Sequence, residues 1–121
     1  MRVKRVIASS AAAAALVTAG LAATAAPAEA AWTCPSTKLC AYLNLNGVGD
    51  PGEVAGNNTN LKQYAKFAGA ESLYNHGTQC AVTVYSELNY GGRSYRMLRG
   101  DKVNLNGTAF WHHTYSNQWC V

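Results

Sequence analysis

Two stretches of this chain repeat each other. Tyr42-Leu43-Asn44-Leu45-Asn46-Gly47-Val48-Gly49 is echoed by Tyr85-Ser86-Glu87-Leu88-Asn89-Tyr90-Gly91-Gly92, and the Tyr, Leu, Asn and final Gly agree at a constant offset of 43 residues. A second set follows at an offset of 44, where Asn60-Leu61, Phe67 and Ser72 correspond to Asn104-Leu105, Trp111 and Ser116. Such self-similarity marks two copies of one supersecondary unit. A unit of about 40 residues is too small to bury a core alone. The two copies must therefore share one core, and function is to be sought on a small two-unit domain and its loops.

The first 30 residues stand apart from the repeat. Arg2, Lys4 and Arg5 form a positive head, Ala11 to Ala26 is apolar and uncharged, and Ala28-Glu29-Ala30 offers a small-x-small cleavage site. This is the pattern of a secretory signal peptide. An Ala-rich run ending at Pro27 suits a membrane anchor poorly. Cleavage after Ala30 leaves residues 31–121, expected to be secreted, extracellular and free of the membrane.

Charge narrows the class of partner. The full chain carries +4, but without the leader seven Lys/Arg face five Asp/Glu, a net of +2. That is ordinary solubility charge, too weak to argue for nucleic acid or an anionic membrane. Arg93, Arg96, Arg99 and Lys102 cluster in sequence, as expected of a solvated strand face with a following turn.

All four cysteines, Cys34, Cys40, Cys80 and Cys120, lie after the leader. An even count in a short exported chain reads as a disulfide framework. Three pairings are open. The expected one is Cys34–Cys40 with Cys80–Cys120, a bridge within or beside each unit. The spacings are not the close pairs of a zinc ribbon, and export favours oxidation over metal binding.

Strand signals dominate residues 31–121. Leu39 to Leu43, Ser72 to Tyr74, Cys80 to Tyr85, Ser94 to Leu98 and Thr114 to Trp119 are short apolar or alternating runs. Gly47, Gly49, Pro51-Gly52, Gly56-Asn57-Asn58, Gly91-Gly92, Gly100-Asp101 and Asn106-Gly107 punctuate them as turns. Leu61 to Ala70 has room for one helical turn. Turn signals at this spacing point to an all-β sandwich or barrel. Each unit reads as four strands in a Greek key, with the two keys packed face to face. Boundaries of about 32–77 and 78–121 are expected. Tyr42 and Tyr85 then occupy equivalent places, each ring over a tight hairpin whose Gly lacks a Cβ.

Tyr85-x4-Tyr90-x-Gly92 resembles the aromatic-x4-aromatic-x-Gly signature of βγ-crystallin Greek keys. Tyr42-x4-Gly47-x-Gly49 is the same pattern without its second aromatic. The opening Cys34-Pro35-x3-Leu39-Cys40 is similar to the start of the small secreted metalloproteinase inhibitors of the Streptomyces type, which share that fold. The resemblance spans residues 34 to 120. It implies an all-β, disulfide-braced βγ-crystallin-like sandwich that acts as a monomer. It further implies tight, non-catalytic binding to thermolysin-like zinc metalloproteinases. A rigid exposed loop would enter the target cleft with little ordering cost. Such a cleft takes a bulky apolar side chain. Phe110-Trp111 on the Gly107–His113 stretch is one candidate, and Cys80-Ala81-Val82 is the other. For both, core packing is the competing reading, since Trp111 matches Phe67 across the repeat.

The resemblance also raises calcium, which needs oxygen ligands in an Asn/Asp pair ahead of a Ser. At Ala68 to Leu73 and His112 to Asn117 only Ser72 and Ser116 fit, so no metal or other cofactor is expected. A binding protein of another kind, toxin-like and directed at a cell-wall glycan or a competitor's surface, is the alternative, because ten Tyr and Trp residues after the leader are many for a small core.

Catalytic chemistry is not evident. His112-His113 are adjacent and should diverge rather than converge on one ion. There is no Gly-x-Ser-x-Gly elbow, no phosphate-cradling Gly-Lys-Ser/Thr loop and no evident carboxylate pair for glycoside hydrolysis. An enzyme is not expected. Arg99-Gly100-Asp101 reads as a turn rather than an adhesion motif.

Overall fold

The computed structural model describes residues 30–121, so the expected leader, apart from Ala30, lies outside the described residues. The strands are β1 (Leu39–Tyr42), β2 (Gly52–Val54), β3 (Ser72–Asn75), β4 (Val82–Tyr85), β5 (Ser94–Met97), β6 (Lys102–Asn104) and β7 (Ser116–Trp119). One helical turn, α1 (Ala65–Ala68), lies between β2 and β3. Two antiparallel sheets result, with strand orders β2-β1-β3-β6 and β5-β4-β7. Among the described residues no helix is long and apolar enough to cross a membrane.

The sheets are not one per unit. Strand β6 belongs to the second repeat but pairs with β3 of the first, Leu73 opposite Val103. The counterpart segment of the first repeat crosses the other way, where Asn58 bridges Asn117 beside β7. Backbone hydrogen bonds repeat the exchange: Leu61 N donates to Tyr115 O at 2.7 Å, and Leu105 N to Glu71 O at 2.9 Å. The second unit thus lends its third strand to the first unit's sheet, and the first unit returns a single bridge at Asn58. Two units cross-paired in this way cannot unfold independently, which is how a chain this short sustains one core.

That core draws on both units. Leu39, Ala41, Leu61, Phe67, Leu73, Val82, Val84, Met97 and Leu105 are at most 1% exposed and form one cluster. Strand alternation sends Leu39 and Ala41 inward and Cys40 and Tyr42 to the outer face. Yet all four β1 residues are fully buried. Residues 32–38 cover the outer face: Cys34 bridges Cys40, and Tyr42 Oη donates to Thr33 O at 2.7 Å.

The repeated hairpins are closed by matching serines. Ser72 Oγ donates to Asn44 O and accepts from Gly47 N, and Ser116 Oγ donates to Glu87 O and accepts from Tyr90 N. Asn46, Gly47, Asn89 and Tyr90 all adopt φ near +60° in these turns. The closing glycines are required by a different contact from the tyrosine ring. A Cβ on Gly92, at φ +74°, would lie 2.3 Å from Ser86 Oγ.

Where the second hairpin sets Tyr90 against Tyr85, at 5.5 Å between ring centroids, the first has Gly47. The missing ring is supplied from elsewhere. Trp32 meets Tyr42 edge-on at 5.6 Å, and its backbone N–H donates to Gly47 O at 2.8 Å. A Cβ on Gly47 would fall 2.3 Å from Trp32 Cδ2.

Burial, and secondarily the neighbouring Tyr74, push the Tyr42 phenol up to about 12 from its ordinary 10.0. An acid whose folded pKa is raised stabilises the fold fully below its unfolded value and loses that contribution as pH climbs through the folded value. Stability is therefore expected to fall between about pH 10 and 12. In Tyr42→Phe this fall should be reduced, as read from urea midpoints with tyrosinate absorbance in parallel. An unchanged alkaline slope in Tyr42→Phe counts against the assignment.

Candidate functional site

The link between the two units, Gly77–Ala81, has an exposed middle and is held at both ends. It leaves β3 at Asn75, which is fully buried, with Nδ2 donating to Met97 O and Oδ1 accepting from Gly77 N at 2.8 Å. The Asn75 backbone donates to Asp101 O and accepts from Gly100 N, so one residue ties the link to the β5–β6 turn. Gly77 permits the path, because a Cβ there would sit 2.4 Å from Trp119 Cζ3. Arg99 Nη1 donates to Thr78 O at 3.0 Å. At the far end Cys80 is bridged to Cys120, whose N–H donates to Ala81 O at 2.9 Å. Thr78 and Gln79 alone project fully into solvent.

A groove lies on either side. One is lined by Thr37, Asn57, Gln79, Trp119 and the Cys80–Cys120 bridge. The other is lined by Tyr74, His76, Ala81, Arg96, Leu98 and Arg99. His76 stacks on Tyr74 at 4.9 Å, and Lys102 Nζ stands 4.9 Å above the same ring. Leu98 is 53% exposed and lines the second groove together with Gly77, Thr78 and Ala81 of the link. Nothing in the sequence singles out Thr78, Gln79 or Leu98, because their importance lies in what anchors the backbone around them.

The residues expected from sequence fall as follows. Cys34 pairs with Cys40 and Cys80 with Cys120. Tyr42, Gly49, Tyr85, Tyr90 and Gly92 occupy the two hairpins and their strands; Tyr85 Oη donates to Gln118 Oε1 at 3.0 Å. Phe110 is 8% exposed and belongs to the core, tilted against Tyr95. Trp111 is half-buried at the core's rim and stacks on His112 at 4.6 Å. The aromatic that the second unit buries deepest on this stretch is thus Phe110 rather than Trp111. Ala81 is 5% exposed, and Cys80 sits half-buried in its bridge.

His112 and His113 do diverge, His112 Nε2 standing 3.1 Å from Glu71 Oε2 and His113 Nδ1 3.8 Å from Glu87 Oε2. Ser72 and Ser116 are occupied with their hairpins. Among the described residues no group of three or more His, Cys, Asp or Glu is placed to hold an ion. Arg99-Gly100-Asp101 forms a closed turn in which Asp101 Oδ2 accepts from Leu98 N at 2.8 Å.

Similarity to known proteins agrees with this architecture. A solved structure described as "Evolution of the eye lens beta-gamma-crystallin domain fold" superposes with a TM-score of 0.63 at 15% identity, covering 77% of this chain and 94% of that one. At that identity the likeness is one of fold: an all-β, βγ-crystallin-like pair of Greek keys. No curated protein matches the chain. The model of peptidase inhibitor family I36 matches residues 27–97, which carry the first unit, the whole Gly77–Ala81 link and the first two strands of the second unit. With more than half of its 121 residues matched, the chain belongs to peptidase inhibitor family I36.

Proposed function

We propose that the protein inhibits an extracellular zinc metallopeptidase of the thermolysin kind by tight, non-catalytic binding, with Gly77–Ala81 entering the cleft. Membership of an inhibitor family makes it a non-enzymatic protein with a protease as its target. The metallopeptidase class rests on the similarity of Cys34-Pro35-x3-Leu39-Cys40 to secreted inhibitors of that type. Export through residues 1–30 and action of residues 31–121 as one monomeric unit belong to the same reading.

The observation that carries it is the anchoring of the link. Asn75, Arg99 and the Cys80–Cys120 bridge hold both of its ends, while Thr78 and Gln79 remain free. A segment already fixed loses little conformational entropy on binding, and the saved entropy appears as affinity. Ala81 and Val82 are buried, so the link offers its backbone and the Thr78 and Gln79 side chains. Leu98 beside it supplies the apolar group that such a cleft prefers.

Oxidised residues 31–121, titrated against a thermolysin-like zinc peptidase, should give stoichiometric inhibition and leave a serine peptidase untouched. Leu98→Asp should weaken inhibition by at least about tenfold, since a contact at the centre of an interface is worth more than about 1.4 kcal/mol. Absence of inhibition at micromolar protein across several zinc peptidases would sink the metallopeptidase assignment. Full inhibition by Leu98→Asp would move the contact away from this link.

A further inference from the structure

We infer that the groove on the β7 side of the link, which shares Thr78 and Gln79 with the link itself, is a binding site for a neutral saccharide of one or two rings. Its volume of about 400 Å³ lies within the range of about 300–1,000 Å³ usual for small-ligand sites. Its lining contains no Lys, Arg, His, Asp or Glu. A phosphate or carboxylate ligand would find no counter-charge there. What the groove offers instead is an indole, from Trp119, ringed by side chains with unused hydrogen-bonding capacity.

Asn57 uses only its Oδ1, which accepts from Trp119 N at 2.7 Å, leaving its amide donors free. Gln79, Thr37 and Thr78 make no side-chain hydrogen bond among the described residues. An apolar ring beside amides and hydroxyls matches a pyranose, whose C–H face packs on an aromatic while its hydroxyls bond around the edge. A peptide strand is the weaker fit. The outer edge of β7 is already occupied, by the Asn58–Asn117 bridge and by the bond from Trp119 N to Asn57. No free backbone ladder is left for strand addition.

Two features of the groove work against stability. Thr37 is β-branched yet sits at φ +78°, a region such residues rarely occupy, and Cys120 sits at φ +65°. The indole Nε1 of Trp119 is buried without a hydrogen-bond partner among the described residues. Strain and unpaired polar groups of this kind concentrate where a protein binds something.

The test is a titration of the oxidised mature protein, followed through the Gln79 side-chain amide and Trp119 indole N–H signals by NMR. The probes are an N-acetylglucosamine oligomer, a cello-oligosaccharide and an oligouronate. At least one neutral oligomer should give saturable shifts centred on Trp119, Gln79 and Asn57. Gln79→Ala should weaken that binding about fivefold, the loss of one ordinary hydrogen bond. Thr37→Gly is the decisive variant, because it removes the hydroxyl while relieving the strained backbone. Its melting temperature should hold or rise while its affinity falls about fivefold. The inference is overturned by any of three results. These are no saturable shifts from either neutral oligomer at about 10 mM, tighter binding of the oligouronate, or unchanged affinity in both variants.

Discussion

Replacing Cys80 and Cys120 together by serine is expected to lower stability by about 4 kcal/mol, against about 2 kcal/mol for the Cys34/Cys40 pair. The difference follows from loop length. The first bridge closes a separation of 40 residues and the second a separation of 6, and a longer loop constrains the unfolded chain more. A domain of this size holds roughly 5–14 kcal/mol in all, so the long bridge is a large share. Strands β4 and β7 still pair without it, Val82 opposite Trp119, so the native register survives where the fold does. Urea midpoints of the two double-serine variants measure the gap directly. Equal losses in the two would mean that the unfolded chain is not the place where the long bridge acts.

The same variant separates stability from function. The bridge anchors the Cys80 end of the link, whereas Arg99 and Asn75 anchor the Thr78 end. Under conditions where the Cys80/Cys120 double-serine variant remains folded, it should still inhibit, but with a raised constant, because the link now loses freedom on binding. The Cys34/Cys40 variant lies across β1 and should inhibit normally while folded.

Much of the fold was legible where local chemistry was strong. The runs at Leu39, Ser72, Val82, Ser94 and Ser116 were legible because each carries an aromatic residue within a short run, with β-branched residues added at Val82–Tyr85. Strands β2 and β6 escaped notice. Gly52-Glu53-Val54 and Lys102-Val103-Asn104 are three residues each, and only their partners in β1 and β3 make them strands. The crossing of β6 and of the Asn58 bridge was hidden for the same reason, since it is a fact about which unit a short segment pairs with. Of the proposed link, Cys80–Ala81 was visible through its cysteine. The anchors Asn75 and Arg99 were not, because nothing in a sequence distinguishes a buried, four-way hydrogen-bonded Asn from one in a turn. Phe110 shows the limit from the other side: an apolar pair in a loop reads as bait or as core, and in the structure Phe110 is 8% exposed.

The first unit's irregular signature leads to the second large expectation. Trp32→Ala should cost about 2–3 kcal/mol, below the range of about 3–5 kcal/mol for removing a fully buried large aromatic, since the ring is half-buried. Gly47→Ala should cost about 2–4 kcal/mol, from the left-handed backbone at φ +63° and a collision with Trp32 Cδ2. Gly47→Tyr alone should be worse still. Combined with Trp32→Ala, however, it should recover stability, because a tyrosine there reproduces Tyr90, which stands at φ +62° against Tyr85. The two sites compete for one ring's space, so the double-mutant cycle must show strong favourable coupling rather than additivity within about 0.5 kcal/mol. Additive losses would mean that Trp32 merely caps the surface. Coupling would mean that a ring two residues beyond the expected cleavage point completes the first Greek key, and that trimming the chain past Trp32 removes part of the fold itself.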